Sequence, residues 1–311
     1  MKNELSILIP TYNDDCYDLV SSLQTQAEAI ESLQYEILVS DDASSSTRII
    51  MNNRRINDLP NCRFIENAVN RGRSANRNAL MQEARYAWLL YVDARRSIVR
   101  EDFIKTYLST SDTERAIYGA YIVVGDADEL KGNLRFRYER QLEPRHSVEQ
   151  RRMVPEMDFN SSNFFIERKV MMEQPFDECF TMWGYEDVLF GKKLTESGIS
   201  IVHIDNPVGF SRFEDNATFL KKTETAMHTL YDFREELLPF SRLLQFYTCH
   251  PKLTAFVLWL YRHNRKSWKH NLQSDKPSLK KYQLYKLGYY AMIVRKKTIE
   301  QTTIDNKSNI S

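Results

Sequence analysis

The sequence has no run of apolar residues long enough to cross a bilayer. The longest such run near the C-terminus, LTAFVLWLY at 253–261, is about half of the ~20 residues that a spanning helix needs. The opening segment, MKNELSILIPTY, has neither a basic n-region nor a long apolar h-region, so no secretory signal is expected. Cysteine is scarce. Cys16, Cys62, Cys179 and Cys249 are widely scattered and form no CxxC or Cys/His metal spacing, which fits free thiols in a reducing cytoplasm. No GxGxxG follows the first expected strand and no GxxxxGK[ST] occurs anywhere, which argues against a dinucleotide-binding Rossmann domain and a P-loop NTPase. No recognised nucleic-acid motif accompanies the positive charge, so no nucleic-acid partner is expected.

What is present is enough for a sizeable core: 311 residues, 42% hydrophobic and 12% aromatic. The net charge of +1 is unevenly spread. Arg242–Lys297 holds thirteen Lys/Arg against one acid, Asp275, a local +12 that leaves −11 for the remainder. A basic segment on an acidic body points either to an anionic surface as partner or to a solvated helical face.

Four short apolar runs alternate with helical spacing in the first third of the chain. Leu5–Pro10, Tyr35–Ser40, Cys62–Ile65 and Trp88–Val92 read as buried strands. Leu19, Leu23, Ala27 and Ile30 mark a helix after the first, and Ser44–Ser46 offer N-cap hydroxyls for a second. A third is expected around Ala75–Arg85. Strands alternating with helices imply an α/β fold with a mostly parallel sheet flanked by helices and joined by right-handed crossovers. Phe164–Glu167 and Ser200–Ile204 read as later strands, and beyond about Ala217 the pattern is helical.

Each early strand runs into a polar cluster. Thr11, Tyr12 and Asn13 follow the first, Asp41 and Asp42 the second, Arg71 and Arg77 the third, and Asp93 the fourth. Ligands of open α/β sheets bind outside the carboxyl ends of the strands, so these groups are expected to line one crevice. A ring to stack on a base, carboxylates to accept from base or ribose, and guanidinium forks for phosphate oxygens suit a nucleoside diphosphate.

The runs SILIPTYN, VSDDASS, NRGRSANRN and YVDA resemble the N-terminal signature of family 2 glycosyltransferases with the GT-A fold. FDECFTMWGYEDVLFGKKL (Phe176–Leu194) resembles the acceptor-side motif of that family. VHIDNPV and NLQSDKPSLKKYQLYKLGYY are similar to bacterial members that build surface polysaccharide: capsule, exopolysaccharide or O-antigen. The resemblance implies a GT-A domain over 1–216, a basic, aromatic-rich helical extension over 217–297 and a disordered tail over 298–311. It implies an inverting transfer of a sugar from a UDP-sugar to the hydroxyl of a glycan or lipid-linked glycan. Thr11, Tyr12, Asn13, Asp41, Asp42, Arg71, Arg77 and Asp93 would then hold the donor nucleotide. Asp187 would be the general base, with Glu186 beside it, and Trp183, Gly184 and Tyr185 would meet the acceptor. The protein would work in the cytoplasm or peripherally on the inner face of the plasma membrane.

The sequence departs from the family at two metal positions. The second acid of the D-x-D pattern is Arg95, and the histidine usual after NPV-x is Phe210. Neither side chain has a lone pair for Mg²⁺ or Mn²⁺, which leaves Asp93 as the remaining ligand candidate and makes a metal cofactor doubtful. His203 lies nearby but reads as a structural residue of a strand. Two readings follow. In one, Arg95, together with Arg96, neutralises the donor diphosphate in place of the cation. In the other, the chain is a catalytically impaired sugar-nucleotide-binding or scaffolding subunit. In the extension, Trp259, Tyr261, Trp268, Tyr282, Tyr285, Tyr289 and Tyr290 lie among bases. They suit either a membrane interface through 242–297 or a helical appendage packed on the transferase domain.

Overall fold

The structure, a computed structural model, describes residues 2–156, 158–180 and 184–308. It divides into two compact units. The first comprises Met1–Gly125, Gln141–Thr181 and Glu186–Arg212, and the second Asp126–Arg140, Met182–Tyr185 and Phe213–Ser311.

Among the described residues the strands are β1 (Glu4–Thr11), β2 (Gln34–Asp41), β3 (Cys62–Glu66), β4 (Trp88–Val92), β5 (Arg96–Ile98), β6 (Ala116–Tyr118), β7 (Tyr121–Val123), β8 (Asn163–Glu167), β9 (Ile201–His203) and β10 (Val208–Phe210). The first unit also carries α1 (Tyr17–Glu28), α2 (Thr47–Arg54), α3 (Arg73–Glu83), α4 (Phe103–Leu108), α6 (Val148–Arg151), α7 (Arg168–Glu173) and α8 (Glu186–Glu196), whereas most of α5 (Leu134–Leu142) belongs to the second unit. The main sheet has the order β3-β2-β1-β4-β8-β6-β9. β1 to β4 are mutually parallel, β8 is antiparallel to both its neighbours, and β9 is parallel to β6. The expected α/β sheet is therefore formed, with the four early strands adjacent and in parallel.

The strands β1 and β2 are buried almost throughout, as continuous apolar runs in a sheet covered on both faces should be. Alternate residues divide between the two faces. Leu5, Ile7 and Ile9 join α1 and α4 in one apolar cluster, whereas Leu8 joins Leu80, Tyr91 and Phe164 in the other. Across the antiparallel β4–β8 pair, Tyr91 stacks on Phe164 with centroids 4.6 Å apart. A second sheet, β5-β10-β7, follows directly from the end of β4. In it, Arg96 stands opposite Phe210 in an antiparallel register.

The second unit is helical: α9 (Asn216–Asp232), α10 (Arg234–Leu237), α11 (Arg242–Cys249), α12 (Pro251–Gln273) and α13 (Leu279–Ser308). Leu134, Phe219, Leu220, Tyr261, Trp268, Leu272, Tyr282 and Tyr285 form its core. Most of the aromatic residues expected at a membrane interface are therefore packed inside. Tyr261, Trp268, Tyr282, Tyr285 and Tyr290 are buried, and of the seven rings named above Trp259 alone is well exposed. The last helix runs on to Ser308, past residue 298 where order was expected to end. No glycine or proline interrupts 298–308, and Glu300 lies within 3.8 Å of both Lys296 and Lys297 on adjacent turns. No helix among the described residues is long and apolar enough to cross a membrane.

Candidate active site

The loops after β1, β2 and β3 are stitched together by hydrogen bonds. The Thr11 carbonyl accepts from the Asp42 amide at 2.9 Å. Asn13, with a left-handed φ of 53°, accepts at its Oδ1 from the amides of Ser45 (2.9 Å) and Ser46 (3.1 Å). The Asp41 carboxylate takes the Ser44 amide at 2.9 Å and also its hydroxyl. Asp42 uses both oxygens, accepting from the amides of Arg71 (2.8 Å) and Gly72 (2.9 Å). Thr11, Asn13, Asp41 and Asp42 are thus brought together as expected, but their polar groups build the crevice wall. Of this set Tyr12, 49% exposed, and the exposed Arg71 are the side chains open to a ligand.

Behind that wall lies a compact charge cluster. Arg73 and Arg77 sit one turn apart on α3, so both guanidinium groups leave the same face. Arg77 Nη2 donates to Asp93 Oδ1 at 2.9 Å, and Arg73 Nη2 lies 3.3 Å from Asp93 Oδ2. Arg73 Nε is 3.2 Å from Glu186 Oε1, and Arg77 Nη1 is 4.0 Å from the same oxygen. Arg77 is 1% exposed and rests against the Phe176 ring. Buried this deeply, it holds Asp93 in place through that ion pair. Burial alone would raise the Asp93 carboxyl, yet the charges of Arg77, Arg73 and Arg96 outweigh it and hold the group below its ordinary value. Burial likewise opposes the Arg73 charge, and Glu186 and Asp93 overcome it and strengthen its hold on the proton.

Arg95 turns toward the first loop. Its Nε lies 2.7 Å and 2.9 Å from the two oxygens of Asp14. Arg96 sits against two aromatic rings set nearly at right angles, 4.3 Å from the centroid of Phe210 and 4.9 Å from that of Tyr121. Arg212 adds a strut, donating to the carbonyls of Asp15 (2.6 Å) and Ala94. These residues do not fit a divalent cation. Both Asp93 oxygens already face arginines, Glu186 and Asp14 are likewise paired with arginines, Arg95 and Phe210 offer no lone pair, and among the described residues no group of three or more His, Cys, Asp or Glu is placed to hold a metal. His203, buried in β9, is structural: its Nε2 faces the Pro155 carbonyl at 3.1 Å and Nδ1 faces Arg151 Nη1 at 3.0 Å. Burial and the Arg151 charge lower its pKa to about 4.

Glu186 and Asp187 occupy the first turn of α8, where the helix dipole favours anions. Asp187 Oδ2 accepts from Asn160 Nδ2 at 2.9 Å. Its Oδ1 is buried, and a hydrogen bond from the Ser161 hydroxyl draws the carboxyl's pKa down. Burial, and next the Glu186 charge, raise the Asp187 pKa from 3.8 to about 6 against the pull of Arg77 and Arg73. Gly184 and Tyr185 belong to the second unit, both at positive φ (111° and 69°). Trp183 lies outside the described residues. Three members of the cluster escaped the sequence reading. Arg73 was findable from its four-residue spacing to Arg77. Asp14 and Asn160 carry no local signal, because their partners are 81 and 27 residues away.

The solved structures with the same fold are distant. A mannosyltransferase of Pyrobaculum calidifontis, PcManGT, solved with GDP-Man and Mn²⁺, is 13% identical, covers 96% of this chain and 88% of its own, and superposes with a TM-score of 0.55. TarS of S. aureus, residues 1–349, solved with UDP-GlcNAc, is 16% identical over 93% of this chain and 90% of its own, at a TM-score of 0.51. A longer TarS chain is 18% identical with a TM-score of 0.47; the match covers 72% of this chain and only 38% of that one. At these identities the likeness shows the fold alone. No curated protein sequence matches significantly. The sequence signature is stronger, because residues 6–190 match the family described as Glycosyl transferase family 2 and contain every cluster just described except Phe210, Arg212 and the His203 pair. With more than half of its 311 residues matched, the chain belongs to glycosyl transferase family 2, and the protein is a glycosyltransferase.

Proposed function

We propose that the protein transfers a sugar from a nucleotide sugar, UDP-linked, to a hydroxyl of a glycan or lipid-linked glycan, with inversion and with Asp187 as general base. The carrying observation is Asp187 itself, a buried carboxylate in the first turn of α8 whose Oδ2 is held by Asn160 and whose pKa burial raises to about 6. An acceptor hydroxyl would donate to the carboxylate. As the acceptor oxygen forms its bond to the anomeric carbon, the hydroxyl proton passes to Asp187. The bond from that carbon to the phosphate oxygen breaks, and its electron pair leaves on the diphosphate. A pKa near 6 leaves Asp187 ionised at neutral pH yet basic enough to take a proton. The donors in the related structures, UDP-GlcNAc with TarS and GDP-Man with PcManGT, support the donor class.

The leaving diphosphate needs a positive partner. The donor set at Asp93 does not suit a cation, so the arginines serve instead. Arg95, which also pairs with Asp14, Arg96 on its aromatic seat and Arg73, which also pairs with Asp93 and Glu186, are the contributors. A second reading, a sugar-nucleotide-binding protein without turnover, draws on the full occupation of Asp93 by arginines.

The deciding experiment measures transfer from a panel of nucleotide sugars with chelator and with Mn²⁺. Donor turnover should persist in chelator. Asp187→Asn should lower kcat by about 10²–10⁴-fold, and the wild-type rate should climb with pH through about 6 and then level off. Turnover that requires Mn²⁺ sinks the arginine assignment; UDP binding without turnover of any donor favours the second reading.

A further inference from the structure

Helix α12 is apolar on both faces for different reasons. Thr254, Val257, Tyr261, Trp268 and Leu272 recur at helical spacing and are buried in the core of the second unit. The opposite face carries Leu253, Phe256 and Trp259, which remain 48%, 53% and 54% exposed. Phe256 and Trp259 stack on one another with centroids 6.0 Å apart, and the His263 ring lies 4.8 Å beyond. The rings therefore form one ridge, with about 9 Å of helix axis between Leu253 and Trp259. A contiguous exposed apolar patch of this kind marks an interaction surface. Its charge says which. The helix contains five Lys/Arg and no Asp or Glu, and Lys252, Arg262 and Lys266 are exposed beside the ridge.

We propose that this face of α12 docks on an anionic lipid surface. Rings would enter to headgroup depth while the flanking cations meet lipid phosphates, the arrangement of an interfacial helix. Such a surface satisfies both halves of the face. A two-fold contact with a second copy would set like charges opposite one another. A polyanion such as RNA would answer the cations and leave a helical ridge of stacked rings without a partner. The attachment is peripheral and independent of the transfer reaction.

The test uses the full chain and sedimentation with vesicles of phosphatidylcholine alone or with about one-third phosphatidylglycerol. Binding should appear on the anionic vesicles only. Phe256→Ser with Trp259→Ser should weaken it at least tenfold, and Lys252→Glu with Lys266→Glu should weaken it and flatten its salt dependence. Transfer to a soluble acceptor should stay unchanged in all variants, which separates failure here from failure of the catalytic assignment. Equal sedimentation of wild type and the ring variant overturns the proposal. So does a dimer in solution that the ring variant dissociates, or retention of RNA without vesicle binding.

Discussion

The two units place their buried and half-buried polar groups in different ways. In the first, opposite charges meet at the ends of strands and helices: Arg77 with Asp93, Arg73 with Glu186, and Arg95 with Asp14. In the second, tyrosines dominate, and their hydroxyls tie helices together, as Tyr282 does with Thr223 at 2.9 Å. The nearest equivalent there to a buried ion pair is Arg135–Glu139, an i,i+4 pair within one helix. Buried charges are costly unless paired, and the first unit concentrates that cost around a crevice. Tyrosines stiffen a scaffold with one hydroxyl each to satisfy. The contrast separates a unit arranged for chemistry from one arranged for shape.

Three substitutions test that contrast. The largest effect belongs to Arg77→Ala, which strands Asp93 and Glu186 without their buried partner; unfolding by urea should show a loss of about 3–5 kcal/mol. A loss below about 1 kcal/mol would show that Arg73 alone can carry both acids. In the second unit, Gly288→Ala should cost roughly 1–3 kcal/mol by overpacking, because a methyl group there would stand 2.5 Å from Tyr261 Cβ. A neutral result would mean that α12 and α13 slide more easily than their interdigitated tyrosines imply. The third effect has the opposite sign. The folded Asp187 holds its proton more tightly than the unfolded chain does, so its destabilising contribution is absent below about pH 4 and complete above about pH 6. Asp187→Asn should therefore raise stability by up to about 3 kcal/mol at neutral pH, with the gain fading as pH falls toward 4. Thermal melts across that range would read it; a constant gain at every pH would place its origin outside the ionisation.

The first four strands were legible because each is an apolar run bounded by polar residues, and Trp88–Val92 emerged with the limits expected of it. The small strands β5, β6, β7 and β10 were not, because three residues carry no period. The loop clusters were legible by position, since parallel strands must place their ends together. What each side chain does there was not. Asp42 spends its oxygens on backbone amides and Arg77 is sealed inside, and such roles depend on partners far off in sequence. The tail tyrosines misled for the same reason: their composition suits a wet interface, but the spacing of Tyr261, Trp268, Tyr282 and Tyr285 turns them inward.

The cross-strand register of Arg96 and Phe210 has a consequence for how this site can change. The guanidinium and the ring that seats it sit 114 residues apart yet face each other across one rung of a three-stranded ribbon. Replacing the ring alone unseats the cation. Arg96 is one residue past Arg95, where the second D-x-D acid would stand, and Phe210 is where the histidine would stand, so a histidine put back at 210 would act first on the Arg96 seat. Arg96 and Phe210 should be inherited as a pair.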